Sequence, residues 1–388
     1  AKQGEFVADR NHITRVWMDH GLWPLMTTAL YIDQTGDLDF LLQENGYFKD
    51  KQIERGTGTD LKFFEGDKPV QKDVQEREYV GSVLEHLLVQ NLTSFYEVGE
   101  HNHMRLRGAD WNDALDMASK RGESVAFTAA YAGNMELLAD LIESLAEKRN
   151  LTFIEVAEEM KLLFTDDLAL YDSIEKKQEL LAAYCASCGH VISGEKACLD
   201  VAEAVKSLRS KAAWIKEHIR KNEWIEDGTD GWFNSYYDDH GRKVEGFIEE
   251  RVRMMLTGQV FTIMSGTAKE EQIAKIVNSA DKYLYEKEAG GYRLNTDFGL
   301  VKMDLGRMFG FAYGHKENGA VFSHMTTMYA NALYKRGFVK EGYKALYTLF
   351  SQASNFEVSR IYPGIPEYFD KKGRGMYHYL TGAASWYM

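Results

Sequence analysis

The chain is poor in the residues that interrupt helices or staple small folds. Only four prolines, Pro24, Pro69, Pro363 and Pro366, occur in 388 residues, so few positions are barred from a helix interior. Three cysteines, Cys185, Cys188 and Cys198, are too few and odd in number for a disulfide scaffold, and they predict a reducing, cytoplasmic setting. Cys185-Ala-Ser-Cys188-Gly-His190 has zinc-knuckle spacing with Cys198 available as a third ligand. The second paired half of a structural zinc site is missing, and the plainer reading is cysteines at a helix end with no metal. No run of about 18 apolar residues is present, which excludes a transmembrane helix. The opening Ala1-Lys2-Gln3-Gly4-Glu5-Phe6 has no apolar signal core and predicts no secretion. Positive charge is also short: 46 Lys and Arg against 59 Asp and Glu leave a net charge of −13. That balance disfavours nucleic acid and anionic membranes as partners. A neutral polyhydroxylated substrate is indifferent to it, whereas an anionic cosubstrate needs a local cluster of cationic or N–H donors.

Convincing alternating strands are scarce, which argues against a doubly wound α/β sheet. What is abundant is helical periodicity. Val80, Val83, Leu84, Leu87 and Leu88 keep the i, i+3, i+4 spacing, as do Leu138, Leu141, Ile142 and Leu145. Val205, Leu208, Ala212, Ile215 and Ile219 repeat it, with charged residues opposite. Polar or glycine-bearing segments such as Asp33 to Gly36 and Gly228 to Gly231 separate these stretches. With 45% hydrophobic residues the chain can bury a large core. The prediction is one all-α domain over residues 1–388, built of many antiparallel helices in an (α/α)6 toroid, although a solenoid gives a similar local pattern. Segments 46–79 and 223–250 are the expected long excursions, and loops on a rigid helical frame are the usual place for a site.

Three clusters carry chemistry. In Gly108-Ala109-Asp110-Trp111-Asn112-Asp113-Ala114-Leu115-Asp116, three carboxylates, an aromatic and an amide follow a glycine. A tryptophan face suits sugar stacking. A carboxyl beside it is partly desolvated and can hold a proton near neutral pH, as a general acid in glycosidic cleavage must. A capped loop-to-helix junction is the plain alternative. The second cluster is Gly314-His315-Lys316-Glu317-Asn318-Gly319, with His324 seven residues after Glu317. It fits a tight ligand-facing loop, or a helix start capped by Asn318 or Ser323. The third, Gly373 to Trp386, contains Thr381-Gly382-Ala383-Ala384. If a helix starts there, its amides favour phosphate; tight packing of small residues is the alternative. Trp232-Phe233-Asn234-Ser235-Tyr236-Tyr237-Asp238-Asp239 reads as a sugar subsite or as core. Arg360, near Pro363, is a phosphate or hydroxyl contact or a solvated surface residue.

The order of these clusters, with Trp17-Met18-Asp19-His20-Gly21-Leu22-Trp23-Pro24 and Tyr31-Ile32-Asp33-Gln34-Thr35-Gly36-Asp37 before them, resembles the glycoside phosphorylases of the cellobiose and chitobiose phosphorylase family, glycoside hydrolase family 94. The resemblance implies an (α/α)6 barrel that performs inverting phosphorolysis of a β-linked gluco-disaccharide or oligosaccharide, with inorganic phosphate as cosubstrate and no cofactor. It implies that Asp113 is the general acid, that Trp111 belongs to the sugar site and that Glu317 contacts sugar. It further implies that His324, Thr381 and Gly382 bind phosphate. Asp110 and Arg360 are carried as additional substrate contacts. The family is often dimeric, so a homodimer is open. Family members carry a β-sandwich domain and a donor-subsite segment before the equivalent of position 1, and continue past the Thr-Gly pair. The chain therefore reads as a segment of a longer enzyme that lacks part of the −1 subsite and one phosphate-binding arginine. An inverting hydrolase with Glu317 or Asp110 as the base, and a non-catalytic carbohydrate-binding segment, are the alternatives.

Overall fold

The computed structural model describes residues 17–361, apart from 65 and 67, and residues 364–377. Helices dominate its regular structure, and the three periodic stretches lie on the helices Val83–Tyr96, Val125–Arg149 and Val201–Asn222. Val80 is the exception. It stands in the strand Val80–Ser82, paired antiparallel with Glu44–Gly46. The helix starts only after Ser82, whose hydroxyl accepts the Glu85 N–H at 3.1 Å, the N-cap role that serine fills well. Pro24 lies in the first turn of the helix Trp23–Thr35, where its missing N–H has no helical partner to lose. Gly36 ends that helix in the left-handed region at φ 70°, its N–H donating to Ile32 O at 2.7 Å.

Short antiparallel ladders punctuate the helical frame. The longest pairs Phe153–Ala157 with Lys196–Asp200; others, such as Gln52–Ile53 with Gly58–Thr59, have two pairs. Strands this brief give no readable alternation in sequence. Among the described residues, segments 46–79 and 223–250 contain no α-helix and hold several of these hairpins. No helix among the described residues is long and apolar enough to cross a membrane.

A single domain is the expectation from sequence; by its contacts the chain divides into two compact units, Ala1–Trp111 with Tyr131–Ile215, and Asn112–Ala130 with Lys216–Met388. In the first unit, Leu84, Leu87, Leu88 and Leu92 of one helix and Leu138, Ile142 and Leu145 of another are buried, each worth roughly 1.5–3 kcal/mol over an exposed position. The amide of Asn134 donates to Asn91 Oδ1 and Leu22 O, both at 3.0 Å, and so satisfies the polar groups between these helices. Cys185 and Cys188 do stand at a helix end: Cys185 in the last turn of Ile174–Ser187, Cys188 at its cap with Sγ donating to Tyr184 O at 3.2 Å. Burial pushes these thiols up to about 11 and about 12, so both stay protonated near neutrality.

In the second unit the helix Ser323–Lys335 packs against Val339–Ser354 and Leu256–Met264. Beside it, Val321 and Phe369 of a three-stranded antiparallel sheet pack with Ala289, Leu349 and Ala353. Trp232, Phe233, Tyr236 and Tyr237 are all buried, and Trp232 meets Tyr283 edge-on at 6.0 Å. The core reading of that aromatic run therefore holds, and the sugar-subsite reading of it does not.

Candidate active site

Asn112 to Met117 is a turn tied down at both ends. The Leu115 N–H donates to Asn112 O at 3.0 Å, and the Ala114 N–H to Asn112 Oδ1 at 3.2 Å, a side-chain-closed turn of the kind asparagine favours. A second segment, 305–308, straps this turn: the Met117 N–H donates to Leu305 O at 3.3 Å and the Met308 N–H to Ala114 O at 3.1 Å. The two backbones touch at Gly306, where a Cβ atom would stand 2.0 Å from Ala114 O. Only glycine permits that approach.

The strap delivers Arg307. Its main-chain N–H donates to Asp116 Oδ1 at 3.2 Å, and its Nη1 donates to Asp113 O at 2.9 Å and also to Asp116 Oδ2. Its Nη2 lies 3.1 Å from Asp113 Oδ2. Burial works against the Arg307 charge, but Asp116 and Asp113 outweigh it and hold the guanidinium more firmly protonated than usual. Asp116 is thus committed to Arg307, while the Asp113 side chain stays 45% exposed.

Lys316, Glu317 and Asn318 lie on a tight turn. The Gly314 N–H donates to Asn318 O at 2.7 Å and the Asn318 N–H to His315 O at 3.2 Å, with Lys316 and Gly319 both in the left-handed region. The loop reading of this cluster holds. Burial pushes the Glu317 carboxyl up, and the Asp113 charge adds to this, partly offset by Lys316 and Arg307. Glu317, Asp113 and Arg307 therefore share one electrostatic neighbourhood.

The helix that follows begins at Ser323 with Phe322 as N-cap and no side-chain cap, so neither Ser323 nor Asn318 caps it. His324 is in its first turn, half-buried, 5.6 Å edge-on from the Phe322 ring. Burial lowers its imidazole to about 4, so at neutral pH it is an uncharged donor and acceptor. The fully buried Ser323 hydroxyl beside it finds no hydrogen-bond partner among the described residues. Val321–Phe322 pairs with Tyr368–Phe369, which pairs with Gly375–Met376. The second cluster and the start of the third are thereby held in one sheet, on either side of Tyr368–Phe369. Thr381 and Gly382, and the expected helix start there, fall outside the described residues.

The remaining predicted residues are placed differently. Asp110 and Trp111 belong to the first unit, Asp110 fully buried and Trp111 half-buried. Arg360 is exposed in the left-handed region at the end of the short helix Phe356–Ser359, and it makes no side-chain bond to Asp113, Glu317 or His324. Sequence reasoning missed Arg307 and Ser323. Arg307 lies 194 positions from Asp113 in a stretch with no distinctive spacing; Ser323 was visible only as a cap.

Residues 196–388 match the catalytic-domain model of the glycosyl hydrolase 94 superfamily. Over 311 residues the chain is 24% identical to solabiose phosphorylase of Paenibacillus borealis, covering 80% of this chain and 29% of that protein. It is 27% identical over 121 residues to N,N'-diacetylchitobiose phosphorylase of Vibrio proteolyticus, covering 31% of this chain and 15% of that protein. Over 126 residues it is 30% identical to cellobionic acid phosphorylase of Neurospora crassa, covering 32% of this chain and 15% of that protein. The chain thus spans less than a third of the length of each of these relatives. The chain belongs to the glycosyl hydrolase 94 phosphorylase family.

Proposed function

We propose that this chain carries the acid and the phosphate-facing elements for inverting phosphorolysis of a β-linked gluco-disaccharide or oligosaccharide, on a helical frame of the (α/α)6 barrel kind. The observation that carries the reading is the separation of the three carboxylates. Asp110 is buried and Asp116 is held by Arg307, which leaves Asp113 half-exposed and within electrostatic reach of Glu317. The relatives, named as phosphorylases of solabiose, N,N'-diacetylchitobiose and cellobionic acid, point the same way.

Asp113, protonated, donates its proton to the glycosidic oxygen as the bond breaks. Phosphate, taken up by His324, Thr381 and Gly382, attacks the anomeric carbon from the opposite face and leaves an α-sugar 1-phosphate. Phosphate is already an anionic nucleophile, so the base that an inverting hydrolase uses to activate water is unnecessary. An uncharged His324 donates one N–H to the dianion without a competing charge. Glu317, and Trp111 two positions before Asp113 in the sequence, are the proposed sugar contacts, with Asp110 supporting and Arg360 an outer contact. No cofactor enters this chemistry, and three unpaired thiols fit a reducing, cytoplasmic setting.

The electrostatic influence of Asp113 on Glu317 also leaves room for a second reading, an inverting hydrolase with Glu317 as base. One experiment separates the two. The full-length protein is incubated with β-linked disaccharides with and without phosphate, and the products are resolved. Phosphate-dependent sugar 1-phosphate is expected, with a His324→Gln variant raising the KM for phosphate more than that for sugar. Free sugar released at an equal rate without phosphate overturns phosphorolysis.

A further inference from the structure

A cavity of about 300 Å³ in the first unit is lined by Arg55, Arg105 and Arg107 together with Glu97, Gln178 and Leu181. We propose that it is a second oxyanion site, which takes the phosphate or carboxylate group of a small sugar derivative in the two guanidinium forks of Arg105 and Arg107.

The argument rests on which donors are used. Arg55 is consumed by the protein: Nε on Glu97 Oε2, Nη1 on Thr93 Oγ1 at 2.5 Å and Nη2 on Ser94 Oγ at 3.4 Å. Arg107 is held by Nε alone, on Glu97 Oε1, and Arg105 by Nε alone, on Val98 O at 3.1 Å. Among the described residues the Nη atoms of both have no partner. Two guanidiniums anchored at Nε and open at both Nη atoms present the planar fork that binds phosphate and carboxylate bidentately.

Charge supports the same ligand. Three guanidiniums face the cavity against two carboxylates, Glu97 and the exposed Glu54. Burial alone would raise the Glu97 carboxyl, but Arg55 and Arg107 overcome this and keep it ionised, so it orients the arginines and cancels one charge of the three. Arg55 and Arg107 both sit in the left-handed region, each at φ 56°, a conformation that a long branched head group has no local reason to adopt. Strained backbone of this kind persists where the surroundings fix a side chain for a task. The cavity exceeds what inorganic phosphate fills, and Leu181, Ala182 and Tyr96 give it an apolar side, which suits the carbon frame of a sugar.

The test is calorimetric titration of the full-length protein with inorganic phosphate, glucose 6-phosphate and gluconate, with glucose as the neutral control. A His324→Gln background removes the phosphate contact proposed for the catalytic centre. In that background at least one of the three anions is expected to bind, at least tenfold more weakly in Arg105→Gln and Arg107→Gln, and glucose is expected not to compete. The stronger of the two organic ligands identifies phosphate or carboxylate as the source. Arg107→Lys keeps the charge without the fork and is expected to bind as poorly as Arg107→Gln. Arg105 bonds only a main-chain carbonyl, whereas Arg107 pairs with the buried Glu97 carboxylate, so Arg105→Gln keeps the test decisive if Arg107→Gln fails to fold. Binding of none of the anions, or binding unchanged in Arg105→Gln, overturns the proposal. Loss of phosphorolysis in the assays above leaves this result untouched, because the readout is binding alone.

Discussion

Arg307 and Asp113, 194 residues apart in sequence, meet with Nη2 3.1 Å from Oδ2, while the other arm of the same guanidinium is held by Asp116. One cation is thus divided between the proposed acid and a second carboxylate. The division matters because Arg307 fixes the place of the proposed acid and Asp116 in turn fixes Arg307. Asp116 keeps Arg307 in place through both the arginine's main-chain N–H and its guanidinium, which makes Asp116 a positioning residue. In Asp116→Asn, Arg307 is left to Asp113 alone. kcat is expected to fall about tenfold, the effect of losing roughly 1.4 kcal/mol of transition-state positioning, with the KM for phosphate close to the parent's. A kcat in Asp116→Asn equal to the parent's sinks this role.

Asp113→Asn removes the donor itself. The expected loss in kcat is on the order of 10²–10⁴, with thermal stability nearly unchanged because the side chain is half-exposed. A glycoside with a good leaving group, such as a nitrophenyl glycoside, needs less protonation and is expected to lose less. Equal losses on poor and good leaving groups count against Asp113 as the acid.

The legible part of this protein was whatever repeats or is local. The spacing of Leu84, Leu87 and Leu88 marked the helix Val83–Tyr96 because one buried face recurs every 3.6 residues. The Lys316-Glu317-Asn318-Gly319 turn was legible because glycine and asparagine carry their own conformational preferences. The hairpins of two or three pairs were not, since so few residues show no period. Arg307 was invisible for a different reason: its partners are brought to it by a strap at Gly306, and nothing in the sequence near 307 refers to position 113 or 116. The burial of Trp232 and Tyr236 was equally hidden, because an aromatic run reads the same whether it lines a cleft or fills a core.

The strap makes its own prediction. A Cβ at Gly306 would stand 2.0 Å from Ala114 O and 2.5 Å from Leu115 Cα, both backbone atoms that cannot rotate away. Gly306→Ala must therefore push segments 305–308 and 112–117 apart, at a cost of roughly 1–3 kcal/mol. Arg307 moves with the strap, so kcat is expected to fall with stability. Gly310, where an added Cβ meets nothing within 4 Å, is the control: Gly310→Ala is expected to leave kcat within about twofold of the parent. A Gly306→Ala variant with the parent's melting temperature and kcat refutes the strap.

Lys211 offers a test of the first unit that does not depend on catalysis. Its side chain is fully buried, with Nζ donating to Thr165 O at 2.8 Å, Ser207 Oγ at 2.6 Å and Tyr171 OH at 3.3 Å. Burial lowers the amine to about 7, with Asp166 only partly opposing. The unfolded chain holds its proton up to the ordinary lysine value of 10.5, so between about 7 and 10.5 the unfolded state binds more protons than the native one. Stability therefore rises with pH across that window and is insensitive to this group below it. The gain is at most about 1.4 kcal/mol per pH unit. Lys177, which burial also lowers, contributes with the same sign, so the parent's total slope cannot be assigned to one residue. The difference between the parent and Lys211→Met isolates it. In urea unfolding at pH 6.5, 7.5, 8.5 and 9.5 the variant is expected to be the more stable at pH 6.5, where the parent must bury a charge. Its advantage is expected to shrink as pH rises, and a difference that stays constant from pH 6.5 to 9.5 shows that Lys211 does not titrate in this range.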